Sequence, residues 1–113
     1  MNGLDEVCFS IISTVGAARS CFVEAIDAIL EKNEEKCKNL MKDGEEMMLE
    51  GHRAHAQLIT QEACGNNVQC TLLLLHAEDQ LMSCETIKII AEKFIYMYYL
   101  NNNQKDCKTN ISK

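Results

Sequence analysis

The chain has 113 residues, of which 47% are hydrophobic and 25% are charged, and this fits one globular domain of ordinary size. Its formal net charge of −6 at pH 7 and the lack of a basic stripe argue against binding to nucleic acid or to anionic membrane surfaces. Zero prolines, five glycines and 5% aromatic residues disfavour a β-sandwich or barrel, so we expect an all-α fold.

The sequence favours a cytoplasmic protein that does not insert into a membrane. Residues 1–6 carry acids and lack the basic stretch that begins a secretory signal. Charges interrupt the uncharged segments before they reach the ~20 residues that a membrane span needs. The seven cysteines are scattered without a Cys-x-x-Cys pair, and most occupy apolar helical positions. We interpret them as small core residues in a reducing compartment.

The first predicted helix runs from about residue 4 to residue 31. Its apolar residues recur at alternating three- and four-residue steps, a seam that is typical of a helix packed nearly parallel or antiparallel to its neighbours. The seam positions are Leu4, Val7 or Cys8, Ile11, Val15, Ala18, Phe22, Ile26 and Ile29. We expect Asn2 to be the N-cap, and the small residues at 16–18 to allow another backbone to approach closely.

The second predicted helix begins after Asn33, the expected N-cap, and ends near residue 64. Gly65 then supplies a left-handed stop. The connection at residues 31–33 is short, so the first two helices are expected to be antiparallel.

The second helix also contains His52 and His55, which lie on one face. A transition-metal site that joins them to His76 or Asp79 is one interpretation of this pair. Di-metal helical bundles, however, use Glu-x-x-His motifs that the chain lacks, so we favour solvated or hydrogen-bonding histidines.

The third predicted helix runs from about residue 69 to residue 100, where three asparagines at 101–103 are expected to end it. Residues 101–113 are polar and are expected to form a disordered tail, so the domain comprises residues 1–100. The second half of this helix is broadly apolar, and one partner helix cannot cover so wide a surface. We therefore predict an up-down-up three-helix bundle whose subunits associate.

The stretch with the most chemical content is His76, which follows four leucines at residues 72–75. Four consecutive leucines cover every side of a helical turn, so we expect an enclosed imidazole. Asp79 lies about 60° from His76 around the helix axis, and Gln80 lies about 40° away on the other side. Glu78 points about 160° away. This spacing leaves open both a functional histidine and a non-enzymatic helical interaction module with a structural, buried His76 and Asp79.

Three groups of residues, one in each predicted helix, occur in the order and spacing of a known family. The first helix contributes Ile11-Ile12, Gly16, Ala18-Arg19-Ser20 and Glu24-Ala25. The second helix contributes His52, Leu58-Ile59, Glu62-Ala63 and, just after it, Gly65. The third helix contributes Leu72-Leu73-Leu74, His76-Ala77, Asp79 and Leu81-Met82. From about residue 4 to residue 100, the chain resembles the lactose/cellobiose (chitobiose) type enzyme IIA of the bacterial phosphoenolpyruvate-dependent sugar phosphotransferase system.

This resemblance implies a phosphoryl carrier. His76 would be the sole acceptor of a phosphoryl group from the phosphorylated carrier HPr, through Nε2, and would pass it to a cysteine of the cognate enzyme IIB. The sugar taken up would be of the lactose, cellobiose or chitobiose type. The resemblance also implies a homotrimer with a nine-helix core, in which Asp79 from each subunit shares one Mg²⁺ at the threefold axis. A neutral imidazole is a competent nucleophile near pH 7, and a hard cation would offset repulsion among three carboxylates.

Two departures from the family's pattern lie near the expected acceptor. Where the family has Gln-Asp-His after His-Ala, this chain has Glu78-Asp79-Gln80, which adds a carboxylate and removes an imidazole. In the second helix, the family's Ala-His-x-x-Gln-Thr corresponds to Gly-His-Arg-Ala-His-Ala at residues 51–56. We expect these departures to change the coordination of the phosphate and the transfer rate rather than the identity of the acceptor.

Overall fold

The computed structural model describes the backbone of residues 3–111 and the side chains of residues 3–103. Over these residues it contains three α-helices and no strand: α1 is Gly3–Leu30, α2 is Glu34–Ala63 and α3 is Leu72–Ile111. α1 packs against both other helices, whereas α2 and α3 approach each other much less. The molecule is elongated, with extents of 68 × 23 × 19 Å. The predicted all-α, up-down-up three-helix fold is confirmed.

Side-chain hydrogen bonds and one glycine set the ends of the helices. The side-chain oxygen of Asn33 accepts a hydrogen bond from the backbone N–H of Lys36 at 3.2 Å, which confirms Asn33 as the N-cap of α2. Thr71 caps α3 in the same way, because its Oγ1 accepts from the N–H of Leu74 at 3.1 Å. Gly65 has a φ of +88°, the left-handed conformation that was predicted to follow α2.

The core forms along the predicted seam of α1. The buried residues of this helix are Cys8, Ile11, Val15, Ala18, Phe22, Ala25, Ala28 and Ile29. The predicted N-cap, Asn2, lies outside the described residues. Among the residues that the structure describes, α1 is the one helix long and apolar enough to cross a membrane by length and composition, a test that the core helix of a soluble protein also passes.

Two glycines of α2 mark places where α1 and α2 approach closely. A Cβ on Gly44 would lie 2.6 Å from Cε1 of Phe22, and a Cβ on Gly51 would lie 2.6 Å from Cγ2 of Val15. The predicted close approach at Gly16 is wrong, because a Cβ there would meet no heavy atom within 4 Å. Gly16 lies instead on an open groove between α1 and α3.

α3 is longer than predicted. It continues through the three asparagines at 101–103 to Ile111, so the predicted helix end at about residue 100 is wrong. An asparagine weakens a helix by less than about 1 kcal/mol relative to alanine, and residues 101–111 contain no proline or glycine that would break it. The predicted division of the chain into a domain at residues 1–100 and a tail at residues 101–113 stays a prediction. Residues 112 and 113 lie outside the described residues.

The cysteines whose side chains are described are free thiols. Cys8, Cys37 and Cys84 are buried, and burial raises the pKa of each thiol. These three are small core residues, as predicted, whereas the other described cysteines are partly or fully exposed. Cys107 lies outside the described side chains.

Candidate functional site

His76 lies in the second turn of α3, on a side of the helix that no other described part of the chain covers. Its side chain is exposed, and Leu72 and Leu75 beside it are 83% and 54% exposed. Only Leu73 and Leu74 of the four leucines pack against the core. The expected enclosure of His76 within its own chain is therefore wrong, because α1 covers one side of α3 and leaves the opposite side open.

The open side of α3 is apolar along most of its length. We call this surface the apolar face of α3; its residues are Leu72, Leu75, Met82, Ile89, Ile90, Phe94, Met97 and Leu100, all of them exposed. At about 100° per residue these positions fall on one side of the helix, and the exposed carboxylate of Asp79 lies on the same side. A continuous apolar surface of this length is typical of a face that binds another protein chain.

Gln80 lies on the side of α3 that turns toward α1. A groove of about 370 Å³ separates the two helices there and is lined by Gly16, Arg19, Ser20, Val23, Glu24 and Gln80. Burial raises the pKa of Cys84 and the Arg19 guanidinium opposes this rise, so the positive charge lies close to that thiol. The amide of Gln80 therefore lies one helical turn beyond His76, near the one cationic residue of α1.

This groove was not predicted, although the order of buried and exposed residues along α1 and α3 indicates where it lies. Arg19 directly follows the buried Ala18 on α1, and Gln80 directly precedes the buried Leu81 on α3. Residues next to buried positions flank the contact between two helices. This pattern therefore indicates that Arg19 and Gln80 lie at the edge of the α1–α3 contact.

Glu78 lies on the opposite side of α3, against α2, in agreement with its predicted direction. Its Oε1 is 2.7 Å from Nε2 of His55, and the side chains of Glu78 and His55 are 35% and 24% exposed. His52 makes a looser contact with Glu85, in which Nε2 and Oε1 are 3.3 Å apart and both side chains are 44% exposed. Both histidines of α2 therefore engage carboxylates of α3.

The structure does not support a metal site within one chain. The described residues contain no group of three or more His, Cys, Asp and Glu side chains that could hold a metal ion. The interpretation that His52 and His55 form a transition-metal site with His76 or Asp79 is therefore wrong. Asp79 offers a single carboxylate, so a cation bound to it would need further ligands from water or from other copies of the chain.

The chain is similar to known proteins over most of its length. The family described as PTS system, Lactose/Cellobiose specific IIA subunit, matches residues 6–99. The lichenan-specific phosphotransferase enzyme IIA component of Bacillus subtilis (strain 168) is 34% identical over 95 residues, which cover 84% of this chain and 86% of that protein. The PTS system lactose-specific EIIA component of Staphylococcus aureus is 30% identical over 90 residues, covering 80% of this chain and 87% of that protein.

Solved structures show the same similarity at the level of the fold. The crystal structure of the PTS cellobiose specific enzyme IIA from Bacillus anthracis superposes with a TM-score of 0.86 at 30% identity and covers 91% of this chain and 94% of that one. The crystal structure of PtcA from S. mutans gives a TM-score of 0.83 at 31% identity and covers 88% of this chain and 99% of that one. The similarity therefore extends over nearly the whole three-helix bundle.

Proposed function

The chain belongs to the lactose/cellobiose-specific IIA family of the sugar phosphotransferase system, and from this premise we propose that it is a cytoplasmic phosphoryl carrier whose acceptor is His76. In this proposal, His76 accepts a phosphoryl group from phospho-HPr and passes it to a cysteine of the cognate enzyme IIB. The transfer supports uptake of a sugar of the lactose, cellobiose or chitobiose type.

The observation that carries the proposal is the difference between His76 and the other two histidines. Within the described side chains, His52 and His55 each contact a carboxylate, whereas His76 is exposed and takes part in no ion pair or hydrogen bond. A histidine that exchanges a phosphoryl group must offer an unprotonated ring nitrogen that the donor can reach. Among the described side chains, only the His76 ring is exposed and free of contact with a carboxylate.

The proposed transfer has two steps. In the first, the lone pair of Nε2 of His76 forms a bond to phosphorus while the donor's bond to phosphorus breaks, and the electron pair of that bond stays with the donor. In the second, the sulfur of the enzyme IIB cysteine bonds to phosphorus, and the electron pair of the nitrogen–phosphorus bond returns to the imidazole. Such transfers depend mainly on alignment and on neutralisation of charge.

We also propose that three copies associate through the apolar face of α3 and share one Mg²⁺. Association would remove this exposed apolar surface from water, and threefold symmetry would bring three copies of Asp79 together. Carboxylate oxygen is the donor that Mg²⁺ prefers, and Asp79 is exposed on this face with no hydrogen bond or ion pair among the described side chains. The residues present therefore fit the ion, whose charge would offset the repulsion among the carboxylates.

The competing interpretation, a non-enzymatic interaction module with a structural, buried His76 and Asp79, is disfavoured. Both side chains are exposed in the single chain, and no hydrogen bond or ion pair joins them among the described residues. Within a single chain, His76 and Asp79 therefore do not form a buried structural pair.

Phosphorylation with purified components tests the proposed acceptor. The protein is incubated with phosphoenolpyruvate, enzyme I and HPr, and its intact mass is measured; we expect one added phosphoryl group per chain. His76→Ala should abolish this addition, whereas His52→Ala and His55→Ala should retain it. If the His76→Ala protein still took up the phosphoryl group and either other substitution removed it, the assignment would be wrong.

A further inference from the structure

The pair formed by Glu78 and His55 lies at the edge of the surface that carries His76. A cavity of about 300 Å³ between α2 and α3 is lined by both members of the pair and by Leu75. Leu75 also belongs to the apolar face of α3, so it connects the pair to the open side of the helix. Glu62 is the other acid that lines this cavity. The pair is therefore next to a surface that other protein chains would cover.

An unpaired Glu78 would oppose the proposed chemistry. Its side chain and that of His76 point to nearly opposite sides of a helix about 10–12 Å across, so their charged ends lie on the order of 12 Å apart. At that separation and an effective dielectric near 20, one negative charge slows addition of another at His76 by about tenfold. Solvent screening of the exposed His76 and the partly exposed Glu78 lowers the effect to about threefold.

We propose that His55 is a positioning residue for phosphoryl transfer, because it holds Glu78 on the α2 side of the bundle, on the side of α3 opposite to the acceptor. The 2.7 Å contact and the partial burial of both side chains carry this inference. Glu78 is a carboxylate two residues along the chain from the proposed acceptor, and His55 is the imidazole that contacts it. The inference rests on the proposed function of His76, and it concerns how the chain tolerates this acid in the same helix as the acceptor.

A double-mutant cycle tests the proposal. The initial rate of phosphoryl transfer from phospho-HPr is measured over a range of phospho-HPr concentrations for the wild type, His55→Gln, Glu78→Gln and the double variant. We expect His55→Gln to lower kcat/KM by about threefold, in line with the screened Coulomb effect of a Glu78 carboxylate that His55 no longer holds on the α2 side. Glu78→Gln should match or exceed the wild type, and the double variant should recover to the level of Glu78→Gln.

His52→Gln is the matched control, because His52 makes the same kind of contact with Glu85 but at 3.3 Å and with greater exposure. It should change kcat/KM by less than about twofold, since exposed ion pairs contribute little. His55→Lys places a cation next to Glu78 and should stay close to the wild type. Circular dichroism of each variant establishes that the helices are retained.

Three results would overturn the proposal. They are a His55→Gln rate equal to that of the wild type, a double variant as slow as His55→Gln, and a His55→Lys variant as slow as His55→Gln. Failure of the proposed function has a different signature, because His76→Ala would then still accept the phosphoryl group whatever residue occupies position 55.

Discussion

Replacing Gly44 with alanine tests how closely α1 and α2 pack. The new Cβ would lie 2.6 Å from Cε1 of Phe22 and 3.0 Å from its Cδ1 and Cζ. Phe22 is 0% exposed, so its ring has no free space to move into and the two helices must separate. Overpacking of this kind costs about 1–3 kcal/mol, while alanine gains about 1 kcal/mol over glycine inside a helix. Because three ring atoms are affected, we expect a net loss of about 1–2 kcal/mol.

Gly16→Ala provides the control, because a Cβ at that position meets no heavy atom within 4 Å. It should gain about 1 kcal/mol from helix propensity alone. Thermal unfolding followed by circular dichroism should show a Tm lowered by roughly 5–10 °C for Gly44→Ala and a raised Tm for Gly16→Ala. All proteins must be compared at one concentration, since association would also change Tm. Equal increases in Tm for both variants would refute the close contact with Phe22.

Two further predictions concern the association surface and a helix cap. Asp79→Leu should leave a trimer intact or strengthen it while abolishing Mg²⁺ binding, because an apolar group replaces repelling charges; sedimentation with and without Mg²⁺ measures this, and a wild-type monomer at micromolar concentration would exclude the trimer. Thr71→Ala should lower the free energy of unfolding by about 1 kcal/mol through loss of the α3 cap. Thr14→Ala, whose hydroxyl only donates to the Ser10 carbonyl within α1, should change urea stability much less, and equal losses would contradict the capping role.

The helices and the core could be predicted where a sequence pattern allowed a single structural interpretation. The seam of α1 alternates apolar and polar positions, so it identified the buried side of that helix, from Ile11 through Phe22 to Ile29. Asn33 and Gly65 were identified because the chemistry of a cap and the conformation of a helix stop depend on only a few residues. The α1–α2 turn was less predictable, since Lys32 has a φ of +63° in a region that glycine usually occupies.

The contact between Glu78 and His55 depends on a relation that periodicity cannot provide. Helical geometry predicted the direction of Glu78 on α3, but the residue that meets it depends on the axial offset between α2 and α3. That offset follows from the length and path of the connection and from the packing of each helix on α1. Glu78 and His55 could each be identified from the sequence, and the structure shows that they contact each other.

The burial of His76 was mispredicted for a reason that also bears on its function. The leucines at 72–75 surround the whole circumference of α3, but Leu73 and Leu74 pack on the core while Leu72 and Leu75 do not. Contacts within a chain and contacts between chains produce the same apolar pattern in a sequence. Only the structure of the single chain distinguishes the two. A histidine that receives a phosphoryl group from one protein and gives it to another must be reachable by both. An exposed His76 meets that condition. In the proposed trimer, the apolar residues beside it would contribute to association rather than to the stability of one subunit.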